Sequence, residues 1–308
     1  MPTQLARRPA RKRPILSRRE APAPASSLRL AAAVGRGPVE APAPTVSYAN
    51  PDDPALRRLL IRAIELGTGQ PKLKRMYLNY RQQGGDAANF WAEAVRRLGL
   101  RLRYDPERLA ALSLDGPLVI VSNHPYGVID GIVIGYLTSL VRPRFKLLSH
   151  SVLYRAPELQ SYLLPVDFTE TRQAIETNLE TRRRAQAELD GGGAVVVFPA
   201  GRVSTARRAF GIATDSAWKP FTASLIMRSR ATVVPIFFEG QNSRMFQIFG
   251  QFSETLREAL LLKEVAGRID TDVGIRIGAP IPYAGLAHIR DRGVLIEHLR
   301  DLTLTLPA

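Results

Sequence analysis

The spacing of apolar and polar positions changes period several times along the chain. Residues 100–104, Leu-Arg-Leu-Arg-Tyr, alternate apolar and basic, the pattern of a half-buried strand. Residues 118–122, 194–198 and 231–238 are apolar throughout and rich in Val and Ile, which predicts strands covered on both faces, the last broken by Pro235. Shorter strand candidates lie at 145–148, 162–166 and 273–278. Helical periodicity fills the intervals at 132–141, 170–190, 217–229, 251–265 and 291–301. Gly191-Gly192-Gly193 stops the second of these. Strands and helices alternate, so the pattern predicts an α/β domain with a mostly parallel central sheet flanked by helices.

Three amphipathic helices are predicted ahead of that core. Leu56, Leu59, Leu60, Ala63 and Ile64 form one stripe over 54–66. Leu73, Met76, Tyr77 and Tyr80 form another after Pro71, with Lys72, Lys74, Arg75 and Arg81 around them. Trp91, Ala94, Val95 and Leu98 share a face of the third, over 87–98, which Gly99 ends. Basic helices carrying aromatic residues suit a bilayer interface and equally suit covering a sheet. Residues 1–48 show no such period. Ala-Pro repeats and clustered arginines cannot bury enough surface to offset the entropy of ordering, so a disordered basic tail is expected there. The division is thus a tail at 1–48 and a folded domain at 49–308, with the helices at 49–99 and the α/β core at 100–308.

Composition narrows the chemistry. The net charge of +15 favours polyanions, either nucleic acid or an anionic membrane surface. Residues 1–50 contribute +7 of it, which leaves the folded part only mildly basic. That tail reads as a solvated linker, a membrane-surface contact, a transit peptide or a nucleic-acid arm. No cysteine is present, which excludes disulfides, thiolate metal sites and a cysteine nucleophile. No run of about 20 apolar residues is present to span a bilayer. There is no phosphate-binding glycine loop of either common nucleotide type and no Gly-x-Ser-x-Gly elbow. The four histidines make no close pair, so no metal site is expected.

The stretch from Val119 to Gly131 carries the candidate chemistry. A strand ends in Asn123-His124-Pro125, a loop with Gly127 follows, and Asp130 precedes the next helical run. Sites in open α/β sheets form at the carboxyl ends of strands. A histidine steadied by a carboxylate takes a proton from a hydroxyl. Asp130 reads equally as a helix N-cap on sequence grounds.

Asn123-His124-Pro125 with Asp130, then Phe198-Pro199-Ala200-Gly201-Arg202-Val203-Ser204, then Val233-Val234-Pro235-Ile236 resembles the glycerolipid acyltransferases, the PlsC-like lysophospholipid enzymes. The likeness runs from about residue 101 to 282. Asn123 to Gly127 and Gly240 to Phe246 look closest to the hemolysin-like branch, which includes lyso-ornithine-lipid acyltransferases. Two departures stand out. The general family has four residues between histidine and aspartate, whereas Pro125 to Ile129 make five, a spacing the branch tolerates. The family's Phe-Pro-Glu-Gly-Thr-Arg-Ser has Ala200 in place of its glutamate, and Arg202 stands one place early.

The resemblance implies a membrane-surface O-acyltransferase. His124 would be the general base and Asp130 its partner. Asn123, Gly201, Arg202, Ser204 and Lys219 would contact substrate, with Arg202 and Lys219 on a head group or donor phosphates. Backbone N–H groups near the start of the helix at Gly131, or in the Gly201 turn, would hold the oxyanion. The donor would be acyl-CoA or acyl-carrier protein, with no resident cofactor and no metal. The acceptor would be a lysophospholipid or lyso-ornithine lipid, and the protein would sit peripherally on the cytoplasmic face of the membrane. No specific nucleic-acid partner is expected. A basic nucleic-acid or anionic-surface module, and an acyl thioesterase with water as acceptor, are the alternatives.

Overall fold

The computed structural model describes residues 69–112, 115–150, 153, 156–167, 171–208, 210–252 and 254–307, together with Ala55, Arg58 and Leu59. The tail expected at 1–48 lies outside the described residues, as does most of the helix expected over 54–66. Helices α1 (Gln70–Gln82) and α2 (Phe90–Arg97) precede strand β1 (Arg101–Arg103) and the short helix α3 (Pro106–Ala110). Next come β2 (Leu118–Ser122), α4 (Val128–Val141), β3 (Phe145–His150), β4 (Leu163–Val166), α5 (Arg172–Asp190) and β5 (Ala194–Val197). A small hairpin of β6 (Thr205–Ala206) and β7 (Ala213–Thr214) leads to α6 (Phe221–Ser229) and β8 (Thr232–Phe238). The chain closes with α7 (Arg244–Phe252), α8 (Glu254–Gly267), β9 (Asp272–Ile277), α9 (Tyr283–Leu286) and α10 (Arg292–Leu304).

Seven strands form one sheet in the order β1-β9-β8-β2-β5-β3-β4. Every pairing from β8 to β4 is parallel. β9 runs antiparallel to β8, and β1 follows β9 in parallel, so one edge of the sheet is reversed. The class is therefore the α/β fold that the alternating pattern predicts. Leu118 and Ile120 of β2 point into the core on one face, with α2, α4 and α8; Val119 and Val121 point into the other, with α5, α6 and α10. Ala194 and Val196 divide from Val195 and Val197 in the same way on β5. Burial on both faces explains why these strands read as unbroken apolar runs instead of alternating ones.

Pro235 does not break β8. Its carbonyl accepts from the Gly278 N–H at 2.8 Å, beyond the end of β9. Nitrogen and oxygen of one residue point to the same side of a strand. The missing proline N–H therefore falls in the gap between the β8–β9 ladder and the antiparallel Val233–Ile281 bridge, and β2 on the other side loses nothing. Helix α4 starts at Val128, four residues ahead of the predicted start, so Asp130 sits inside its first turn and not at its cap.

The basic helix α1 spends its apolar face on the protein. Leu73 and Tyr80 are buried, and the Tyr77 hydroxyl donates to Glu158 at 2.6 Å. No helix among the described residues is long and apolar enough to cross a membrane.

Helix α4 crosses α2 at Gly135, where an added Cβ would stand 2.5 Å from a ring carbon of Trp91. Trp91 is itself wedged against Phe90, Phe145 and Tyr162. Replacing glycine by alanine inside a helix normally gains about 1 kcal/mol. Here the overlap outweighs that gain, and Gly135→Ala is expected to destabilise the fold by about 1–3 kcal/mol. A denaturant midpoint equal to or above wild type would show that the aromatic cluster yields.

Candidate active site

β2 delivers Asn123 and His124 at its carboxyl end, in the middle of the parallel sheet. The chain then reverses through Pro125, Tyr126 and Gly127 and enters α4. Gly127 has φ 77°, a backbone state that a side chain disfavours, and a Cβ there would stand 2.9 Å from Leu261. This turn carries Asp130 back beneath the histidine. Nδ1 of His124 lies 3.0 Å from Oδ2 of Asp130, so the five-residue spacing closes the pair. The same oxygen accepts the N–H groups of Tyr126 at 2.8 Å and Gly127 at 2.9 Å. Asp130 is fully buried, whereas the imidazole keeps some contact with solvent.

The pair is not fully satisfied. The ring N–H lies off the line to Oδ2, and Oδ1 of Asp130 has no protein partner. Burial pushes the Asp130 carboxyl above its ordinary range, against the pull of His124 and the two backbone N–H groups. Phe198, at the end of β5, stacks on the imidazole with ring centroids 4.0 Å apart and planes 22° apart. Ring and carboxylate together fix the plane of the histidine and leave Nε2 as its second nitrogen.

The backbone of His124 is held from a third direction by Asp215, a residue the sequence did not single out. Its Oδ1 accepts the His124 N–H at 3.2 Å and the Ser204 hydroxyl, and its Oδ2 accepts the indole N–H of Trp218 at 2.8 Å. Ser204 completes the link by donating its own N–H to the His124 carbonyl at 2.8 Å. Asp215 and Ser204 are both buried. Asp215→Asn leaves the Trp218 indole facing an amide donor in a buried site, a cost of about 1–3 kcal/mol. The expected result is a lower melting temperature and a kcat reduced about 10- to 100-fold by misplacement of His124, with KM nearly unchanged. A change confined to KM would give Asp215 a substrate role instead.

The other residues singled out by sequence fall in different surroundings. Asn123 bridges two strands: its amide donates to the Phe238 carbonyl at 2.9 Å and accepts the Phe238 N–H at 2.7 Å. Gly201 lies in the turn after β5 with φ 69°. Its N–H donates to Phe198, and that of Gly131 donates to Gly127, so the N–H groups of these two glycines already serve the backbone. Ala200 is buried among the apolar residues of one core face, where a glutamate would have to lose its hydration. Arg202 and Lys219 are exposed. Arg202 lines a cavity of about 320 Å³ with Arg207, Arg300, Glu297, Asp215 and Trp218. Lys219 donates its backbone N–H to Pro199. Arg300 enters this cavity from α10, with no local sequence signal to mark it. Among the described residues no three His, Cys, Asp or Glu side chains cluster as a metal site.

Comparison with known proteins adds four findings. The family described as Acyltransferase matches residues 86–272. A lyso-glycine lipid O-acyltransferase of Phocaeicola vulgatus is 26% identical over 205 residues, 64% of this chain and 71% of that protein. One of Bacteroides thetaiotaomicron is 25% identical over 202 residues, 63% and 72%. The crystal structure of the 1-acyl-sn-glycerophosphate acyltransferase PlsC from Thermotoga maritima aligns with a TM-score of 0.47 and 15% identity, over 80% of this chain and 93% of that one.

Proposed function

Since the chain belongs to this acyltransferase family, matched across residues 86–272, we propose that it moves a fatty acyl chain from a thioester donor to the hydroxyl of a lysolipid. The observation that carries this reading is the 3.0 Å approach of His124 Nδ1 to the buried Asp130 carboxylate at the end of a central parallel strand. The donor is acyl-CoA or acyl-carrier protein. Nε2 of His124 takes the proton as the acceptor oxygen attacks the thioester carbonyl. Asp130 holds the other ring nitrogen protonated and stabilises the imidazolium. The tetrahedral oxyanion collapses, the carbon–sulfur bond breaks, and the imidazolium returns its proton to the leaving thiolate. The positive end of α4 supports the oxyanion, since N–H groups at Val128 and Ile129 have no intrahelical acceptor.

Both curated relatives are named for a lyso-glycine lipid, and both act at oxygen by their names. The Gly240 to Phe246 stretch resembles the lyso-ornithine-lipid branch. A lysolipid with an amino-acid head group is therefore the acceptor class we favour. Arg202, which lines the cavity with Asp215, would be the group that meets its carboxylate. The protein works as a peripheral enzyme on the cytoplasmic face of the membrane. Purified full-length protein supplied with labelled acyl-CoA or acyl-carrier protein, and with lyso-glycine lipid, lyso-ornithine lipid or lysophosphatidate, should O-acylate the first two. Release of free fatty acid with no acceptor product would make it a thioesterase, and transfer to lysophosphatidate alone would overturn the acceptor assignment.

A further inference from the structure

The hairpin of β6 and β7 presents an arrangement that the chemistry of His124 does not require. Phe210 and Ile212 at its tip are 77% and 83% exposed, more than any other large apolar side chain described. Arg207 and Arg208 stand exposed on the same hairpin. Arg244, at the start of α7, lies over the Phe210 ring at 5.4 Å, and Phe249 of the same helix is also exposed. Neither the hairpin between Arg202 and Thr214 nor α7 contains an acidic residue. The surface is thus apolar at its tip and cationic around it.

The hairpin is firmly held. The Ala206 N–H donates to Gln247 at 2.8 Å and the Ala213 N–H to Gln241 at 2.7 Å, while Thr205 pairs with Thr214. At its base the Ser204 hydroxyl donates to Asp215, and both residues bind the His124 backbone. A chain that fixes two large apolar groups in water by four anchors forgoes the stabilisation that burying them would give.

We propose that this hairpin is a membrane wedge: Phe210 and Ile212 enter the acyl-chain region of an anionic bilayer while Arg207, Arg208 and Arg244 meet its headgroups. The occupant follows from the charge, because an apolar tip ringed by arginines with no carboxylate is complementary to a negatively charged lipid surface. The consequence for catalysis is geometric. The wedge and the base of His124 share Ser204 and Asp215, so seating the tip sets the imidazole at a fixed height above the interface. The basic amphipathic helices α1 and α2 have their apolar faces already buried in the fold, at Leu73 and Tyr80 and at Trp91 and Val95. The inference deepens the reading of the protein as an enzyme of lipid surfaces, yet it is tested without acyl transfer.

Full-length protein would be floated with phosphatidylcholine vesicles with and without phosphatidylglycerol. Phe210→Ser combined with Ile212→Ser is expected to weaken binding to the anionic vesicles about 30-fold, with an unchanged melting temperature. Arg207→Glu combined with Arg208→Glu should weaken it by at least about 25-fold at low salt and by less at high salt. Ile175→Ser combined with Leu179→Ser, on the exposed face of α5, serves as the rival apolar patch and should float as wild type does. The proposal falls if the tip variant floats like wild type, if the α5 variant loses binding instead, or if the tip variant alters oligomeric state and not flotation. A His124→Ala protein that floats normally but transfers nothing would separate the wedge from the catalytic reading.

Discussion

His124→Ala is expected to lower kcat/KM for acyl transfer to a lysolipid by at least about 10³-fold, because a lipid hydroxyl at neutral pH is a poor nucleophile until its proton is removed. Loss of a positioned base acts on the chemical step, so the fall should appear in kcat, with the KM for donor and acceptor little changed. The imidazole is partly open to solvent and stacks on Phe198. The variant should therefore fold, with a melting temperature within a few degrees of wild type. Transfer at the wild-type rate would remove His124 from the mechanism. So would a loss of activity that merely tracks a loss of folded protein.

The strands around this histidine are legible in the sequence because a parallel sheet buried on both faces leaves a one-dimensional signature. Val119-Ile120-Val121 and Val195-Val196-Val197 need no partner to be recognised. The local part of the site is legible for a related reason: His124 and Asp130 meet across a single turn. What escapes is what depends on distant chain segments. Asp215 reaches His124 only because the β6–β7 hairpin folds back, and that hairpin pairs just two residues on each side. Arg300 reaches the cavity beside it from the last helix. Helix α7 is hard to see because Phe246 and Gln247 are buried next to exposed Arg244 and Phe249, and Gly250 lowers its helical propensity. The N–H groups of Gly131 and Gly201 show a further limit. Residue type makes a backbone donor accessible, but the turn that forms decides whether it is free, and both are taken by carbonyls a few residues away.

Asp130→Asn is expected to cost about 10³-fold in kcat while making the folded protein no less stable at neutral pH. The substitution keeps shape and one acceptor oxygen, which the Tyr126 and Gly127 N–H groups already occupy. It removes the negative charge that, in the proposed mechanism, stabilises the imidazolium. Stability moves the other way because burial raises the Asp130 carboxyl above its unfolded value despite its donors, and Oδ1 has no partner. A group with a raised folded pKa contributes stability that is fully present below the unfolded value, about 4 for a carboxyl, and is lost as pH rises through the folded value. Near that lower limit the protonated acid and the amide are nearly equivalent. As pH rises the wild type must bury a charge and the variant need not. The difference in melting temperature, variant minus wild type, should therefore start near zero at about pH 4 and grow as pH rises through the folded value. A difference that falls with pH would mean that the contact with His124 outweighs burial and that Asp130 is held in place by stability. A rising difference with activity lost would show a carboxylate kept for chemistry at the expense of the fold.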